Sequence, residues 1–383
     1  MSASGVAVYS RYTLTVKKYA YLVFLVPLSL PVASVWIAQR SGWWDLATLF
    51  TPFWYFVLIP LLDALIGQDP ANPAESDERR LSGEHFYRLL TLACLPLYLA
   101  LLFWGAWVFA HAPLSWLGQL GWIVAVGCVG GVAAINTGHE LIHKPGRLEP
   151  WAGGALLASV RYATFKVEHV YGHHVDVATP ADGSTARRGE SVYAFVLRAL
   201  RDNPRRAFRL ERQVRARRGQ SWSIFRSGLV GWSLLSAVFA AICVSIAGPA
   251  GLVYFLGQSL VAITLLEVIN YVEHYGLSRR QGADGRWERV DVTHSWNSNF
   301  LLTNLLLFQL QRHSDHHAHA ARRYQALRHF PESPQLPAGY ATMVVLAAIP
   351  PLWRRVMDPR VERHQAAQAA RASRAAGAGA GAA

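Results

Sequence analysis

The sequence predicts an all-α integral membrane protein, a bundle of six transmembrane helices with a helical cap on its cytoplasmic face. Three observations predict it. Six stretches hold the roughly 20 mainly apolar residues that spanning requires. The Lys and Arg residues collect on one side of those stretches, and nine of the 15 histidines form four groups that end on that same side.

The first stretch, Tyr19–Ala38, follows Arg11, Lys17 and Lys18. It is too long for the apolar core of a signal peptide, and no small-residue cleavage pattern follows it. Leu46–Ile66 comes next after a short link. Arg79, Arg80 and Arg88 then mark the return to the basic side where Tyr87–Ala110 begins, and Ser115–Asn136 completes a second hairpin. The long connection 144–226 is crowded with Arg. Gly228–Ala247 and Gly251–Tyr271, joined through Gly248-Pro249-Ala250, make the third hairpin. With six spans, all the strongly basic segments fall on one face, which the positive-inside rule makes cytoplasmic, together with both termini. Pro27, Pro31, Pro52 and Pro60 are expected to bend their helices, and Gly127, Gly130 and Gly131 to let neighbours approach closely. Residues 1–357 read as one domain. From 358 to 383 the composition drifts to Ala, Gly and Arg, and this low complexity predicts a disordered tail.

Composition agrees. The chain is 52% hydrophobic with 14 Trp, 15 Tyr and 16 Phe, yet only 16% charged, and carries a formal charge of +13. The basic residues concentrate in 187–226, 279–289 and 312–328, the aromatics lie inside apolar runs, and no nucleic-acid motif is present, so the charge reads as membrane-flanking loops. Cys94, Cys128 and Cys243 sit in apolar stretches without a C-x-x-C pair, so neither a disulfide framework nor a thiolate metal knuckle is written here.

The chemistry lies in the histidines. The groups are His139-Glu-Leu-Ile-His143, His169-Val-Tyr-Gly-His173-His174, His274 alone, and His313-Ser-Asp-His316-His317. Imidazole is the commonest transition-metal ligand. Nine such rings exceed the needs of one ion and suit two. On an α-helix, residues four apart share a face, so His139 and His143 can hold one ion. In the second and third groups, two rings share a face and the third lies about 100° round. An H-E-x-x-H motif also occurs in zinc peptidases, but a mononuclear zinc site needs only three protein ligands. Each group carries an acid: Glu140, Glu168, Glu273 and Asp315. These carboxylates are expected to accept the second ring N–H of metal-bound histidines and to offset charge, or to ligate directly. His294 is a further candidate for that outer layer. His85, His111, His329 and His364 read as isolated surface or interface residues, and His319 as a neighbour of the third group.

The segments Asn136-Thr-Gly-His-Glu-Leu-Ile-His-Lys144, Glu168-His-Val-Tyr-Gly-His-His174, Asn270-Tyr-Val-Glu-His-Tyr-Gly-Leu277 and Leu310-Gln-Arg-His-Ser-Asp-His-His-Ala318 resemble the signatures of the integral-membrane alkane 1-monooxygenases. Pro60-Leu-Leu-Asp63, Asp176-Val-Ala-Thr-Pro180, Gly189-Glu-Ser-Val-Tyr193 and His294-Ser-Trp-Asn-Ser-Asn299 also look like segments of that family, so the likeness runs from about residue 45 to 360. The three-box histidine pattern alone is shared with membrane desaturases and other hydroxylases. The resemblance implies a non-haem centre of two iron ions, O2 as co-substrate, and electrons from rubredoxin and an NAD(P)H-dependent rubredoxin reductase. It implies insertion of oxygen at a terminal methyl group of an alkane or alkyl hydrocarbon in a bacterial inner membrane. Thr164 stands where a His is common in relatives, and the sequence has no C-x-x-C pair of the kind a fused rubredoxin, carried by some of them, would need. A substrate dissolved in lipid is best reached from the bilayer, and Phe53, Trp54 and Tyr55 are candidates for the channel wall. Arg201, Arg205, Arg206, Arg209, Arg212 and Arg215 form a basic surface for an acidic electron carrier; anionic lipid headgroups are the competing partner. A desaturase or an aromatic-methyl hydroxylase is the alternative reaction. A metal transporter or sensor would require polar residues through the middle of several spans, where this chain is apolar.

Overall fold

The structure, a computed structural model, describes residues 5–282 and 284–380. Its described residues contain no β-strand, only isolated bridges. Six helices are long and apolar enough to cross a membrane: Arg11–Ser41, Trp44–Ile66, His85–His111, Trp116–Ile142, Gly228–Ala247 and Pro249–His274. Each contains or closely overlaps one of the stretches expected from the sequence. The ends follow local rules. Ser10, Ser115 and Ser227 cap the first, fourth and fifth helices through their hydroxyls. Gly248, at φ 61°, makes the turn into the sixth, and Pro249 starts it.

The spans are not uniform α-helix. A 3₁₀ turn, Tyr21–Phe24, interrupts the first. A π-helical turn, Trp54–Leu58, widens the second between Pro52 and Pro60, because Pro60 has no N–H to continue the α register. The fourth span carries a longer π-helical segment, Gly130–Asn136, just before the first histidine pair. That span packs along the sixth. A Cβ at Gly127 would lie 2.5 Å from Val261, and one at Gly130 would lie 2.6 Å from the Tyr98 hydroxyl. Gly131 is less tightly packed, with its nearest neighbour at 3.6 Å.

Two further helices complete the frame. Leu148–Ser159 packs against the fourth span and is buried along most of its length. Its Gly154 lies flat against Trp232. Val192–Arg217 is strongly amphipathic, with Phe195, Ala199 and Ala207 inward and Arg201, Arg205, Arg209 and Arg212 outward. The C-terminal helix runs Pro350–Ala380. It spans residues 358–380, for which composition predicts a disordered tail. Ala and Arg are good helix formers, and the helix is anchored through buried Trp353, Met357 and Val361. His364 and Gln365 then bond to the backbone carbonyls of Thr293 and Gly276.

Candidate metal centre

The nine clustered histidines meet in two adjoining groups. The ring nitrogens of His139, His143, His169, His174 and His316 all lie within 4.8 Å of one another, and so do those of His173, His274, His313 and His317. Four separate parts of the chain supply them. His139 and His143 extend the fourth span, and His274 ends the sixth. His169, His173 and His174 lie on the helical segment that follows Leu148–Ser159. His313, His316 and His317 lie on the short helix His313–Ala318.

Local helix geometry decides which ring joins which group. In His313–Ala318 the α-helical expectation holds: His313 and His317, four apart, share a group, and His316 turns to the other. The second box departs from it. His169–His173 is a π-helical turn, in which the i→i+5 register replaces i→i+4. His169 therefore shares a group with His174, their Nε2 atoms 3.0 Å apart, and His173 faces the four-histidine group.

The donor set fits a metal. Nε2 atoms converge at 2.9 Å for His139–His316, 2.9 Å for His317–His313, 3.1 Å for His174–His316 and 3.2 Å for His313–His274. A neutral imidazole has one N–H to give. The buried Nε2 atoms of His143 and His173 face this convergence with no hydrogen-bond partner. So many inward lone pairs without protons to share call for a cation. Burial first, then the charges of neighbouring histidines, pushes His143, His169, His174, His313, His316 and His317 well below the ordinary imidazole pKa. That keeps them in the neutral form a metal requires.

The outer layer differs from the expectation. Glu140 accepts from Lys144 Nζ at 2.9 Å and from the Tyr324 N–H at 3.2 Å, and makes no hydrogen bond to a histidine. Glu168 takes Arg206 Nη1 at 2.9 Å. Asp315 binds Arg322, the Arg328 N–H and His319, whose Nδ1 is 3.0 Å away. These three acids fasten segments to one another. His294 is likewise occupied in its own loop, with Nδ1 accepting from the Asp291 N–H at 3.0 Å and Nε2 3.2 Å from Glu288. Of the five residues expected in this layer, only Glu273 comes close to a clustered ring: its Oε2 is 3.2 Å from His313 Nε2, the inward nitrogen, while Oε1 accepts from the Tyr340 hydroxyl at 2.7 Å.

The carboxylate that does hold an outer ring nitrogen was not anticipated. Asp182 Oδ2 lies 2.9 Å from His173 Nδ1 and also accepts from the Thr185 hydroxyl at 2.7 Å. Burial works to lower the His173 pKa, but the charge of and hydrogen bond to Asp182 outweigh it, and the pKa is raised. Asp182 lies in a loop nine residues beyond His173, where no periodicity links the two. Arg206 completes the arrangement, reaching Glu168, Asp176 at 2.5 Å and Asp182 at 3.3 Å. Its side chain is only 12% exposed, so it is not part of an open basic surface. Arg312 was also overlooked. Fully buried, it donates to the carbonyls of Asp69, Ala71 and Leu327 and so fixes the residue before His313.

Of the other basic candidates, Arg201, Arg205, Arg209 and Arg212 are exposed, with Arg201 paired to Asp202 and Arg212 over the Trp222 ring. Arg215 turns back to the carbonyls of Ser221 and Arg226. Among the aromatic candidates, Tyr55 lines an apolar cavity of about 100 Å³ bounded by the second, fourth and sixth spans. Phe53 is 53% exposed on the outer surface, and Trp54 packs edge-on against Tyr55 instead of lining the cavity. The π-turn that begins at Trp54 rotates the three side chains apart.

A six-span helical bundle with three histidine boxes at one end places the chain in a broad class, and residues 114–347 match the model of the fatty acid desaturase family. That region holds the last three spans and all nine clustered histidines. Over almost its full length the chain is similar to two proteins named alkane 1-monooxygenase 2. Identity is 50% to that of Pseudomonas aeruginosa, covering 94% of this chain and 96% of the relative. It is 52% to that of Alcanivorax borkumensis, covering 92% of each. The hydroxylase component of a Pseudomonas putida xylene/toluene monooxygenase is 28% identical over 79% of this chain and 80% of its own length. The chain belongs to the alkane 1-monooxygenase family.

Proposed function

We propose that this protein hydroxylates the terminal methyl group of alkanes or alkyl hydrocarbons to primary alcohols. In this reading it is a non-haem di-iron monooxygenase of the bacterial inner membrane, with its histidines on the cytoplasmic side. The observation that carries the reading is the juxtaposition of a two-group histidine centre with an apolar cavity inside the bundle. Ile59, Val132, Leu265 and Leu310 line the cavity, and Tyr340 joins its wall to Glu273 through the 2.7 Å hydrogen bond. A methyl group presented through such a wall arrives dry, and a neutral hydrocarbon gains by leaving water.

Five rings would hold one iron and four the other, with Glu273 placed to add an anionic oxygen at the second. Bound there, two irons would supply the O2 chemistry that puts one oxygen atom on the methyl group, with the other released as water at the cost of two electrons and two protons. The chain's own residues do the rest. Asp182 fixes the tautomer and orientation of His173. Tyr340 steers the Glu273 carboxylate, and the apolar cavity wall keeps water from the reacting methyl.

The electrons come from a small carrier, for which rubredoxin and its NAD(P)H-dependent reductase are the proposed source. Arg205 and Arg209 keep exposed charge without a carboxylate partner closer than 3.8 Å, and they form the docking face for an acidic protein. Reversing both to Glu should raise the KM for the carrier several-fold and flatten the salt dependence of turnover; unchanged carrier kinetics would remove this face from the reading. The reaction itself is tested by iron quantification and product identification on membranes supplied with rubredoxin, reductase and a homologous series of n-alkanes. Iron with 1-alkanol products is the expected result. Alkene products, or a protein that carries zinc alone, would overturn it.

A further inference from the structure

The fifth and sixth spans enclose a second hollow, separate from the cavity beside Tyr55. It is a groove of about 810 Å³ whose walls are Ser236, Ala237 and Ala240 of the fifth span and Phe255, Leu256 and Leu260 of the sixth. Leu256 and Leu260 are exposed, so the groove opens toward lipid. Its wall residues at 259–263 stand ten to fourteen positions beyond Pro249. At 1.5 Å per residue this is about 15–21 Å, inside a hydrocarbon core roughly 30 Å thick.

Two polar features in the groove have nothing to bond to. Arg161 lines it, is exposed, and among the described residues has no ion pair or side-chain hydrogen bond. It stands just past the helix Leu148–Ser159 with φ at 54°, a left-handed position that glycine usually fills. An arginine held in that backbone conformation, and at bilayer depth, points to a ligand for its charge. The second is Ser236. The residue is 5% exposed, and its buried hydroxyl has no partner. Ser233, one turn earlier, satisfies its own by donating to the Leu229 carbonyl at 2.8 Å.

We infer that this groove is a binding site for an anionic phospholipid from the leaflet on the histidine side. An acyl chain lies along the apolar walls. The guanidinium of Arg161 extends up the groove to the phosphodiester, with its apolar stem against the walls. The Ser236 hydroxyl, buried in the wall without a partner, donates to an ester oxygen once its side chain turns into the groove. A hydrocarbon substrate has no charge to match Arg161, so the charge favours the lipid over a second substrate channel.

The test uses the full-length protein in nanodiscs of phosphatidylcholine doped with a phosphatidylglycerol bearing a photoreactive group on one acyl chain. Crosslinks are mapped by mass spectrometry. The site predicts labelling at residues 233–240 and 252–260 that excess unlabelled phosphatidylglycerol suppresses and phosphatidylcholine does not. In Arg161→Gln the preference should fall about tenfold, the worth of a charge-assisted hydrogen bond, whereas Arg161→Lys should keep it. Leu256→Trp, which fills the groove, should remove the labelling without changing metal content. Labelling that is indifferent to headgroup and to Arg161→Gln, or that an n-alkane or 1-alkanol displaces, would overturn the inference.

Discussion

The five-histidine and four-histidine groups are neighbours with different chemistry. The first is built of imidazoles alone, and among the described residues no carboxylate hydrogen-bonds to any of its rings. The second has Asp182 on the outer nitrogen of His173 and Glu273 beside the inner nitrogen of His313. Uncompensated charge in a buried site is expensive, so the anionic groups that balance a pair of cations are gathered on one side. The difference teaches that the two positions are not equivalent. One is a neutral cage, and the other is coupled to a charged network that extends through Arg206 to Glu168 and Asp176.

The largest effects should come from the rings themselves. His143→Ala breaks the neutral cage and His313→Ala the charged one; both should abolish turnover, each with loss of bound metal measured by elemental analysis. Full activity with normal metal in the two variants would end the assignment of these groups as a metal centre. Asp182→Asn keeps the shape but removes the charge, and should cost about 10–100-fold in metal affinity or activity. An unchanged metal titration would mean that the asymmetry has no consequence for binding. Arg206→Ala leaves three carboxylates facing one another in a largely buried place and should destabilise the fold by about 3 kcal/mol. This is measurable as a shift of the unfolding midpoint in detergent, and no shift would detach Arg206 from the network. The smallest effect on metal is expected from Glu140→Gln. The carboxylate charge that pairs with buried Lys144 is lost, so stability should drop by about 1–3 kcal/mol, while metal content stays as in the parent. A metal loss equal to that of Asp182→Asn would erase the contrast between the groups.

Much of the architecture was legible because a bilayer imposes a length and a composition on whatever crosses it. Every expected span falls largely within an observed helix, and the histidines sit at the ends that the count of spans assigned them. The outer layer was not legible. Glu140 and Glu168 lie beside ligand-type residues in sequence, yet a helix turns adjacent side chains about 100° apart, and both carboxylates face away toward Lys144 and Arg206. Asp182 reaches His173 only because the loop after residue 176 folds back. Arg206 looked like one more arginine of a basic stripe, but it lies on the inward face of its helix. The helix that carries the chain past residue 358 was not legible either, because low complexity hides the helix propensity of Ala and Arg, and because the docking of Val361 depends on distant partners.

The sequence by itself determined that six helices cross the membrane and that nine imidazoles collect at one end, since hydropathy and ligand chemistry are properties of the residues. Only the tertiary structure decided which rings stand together. A π-turn at His169–His173 shifted the register by one residue, sending His174 to one group and His173 to the other. Such a turn is set by the packing of the segment against its neighbours, and it leaves no mark in the spacing of the letters.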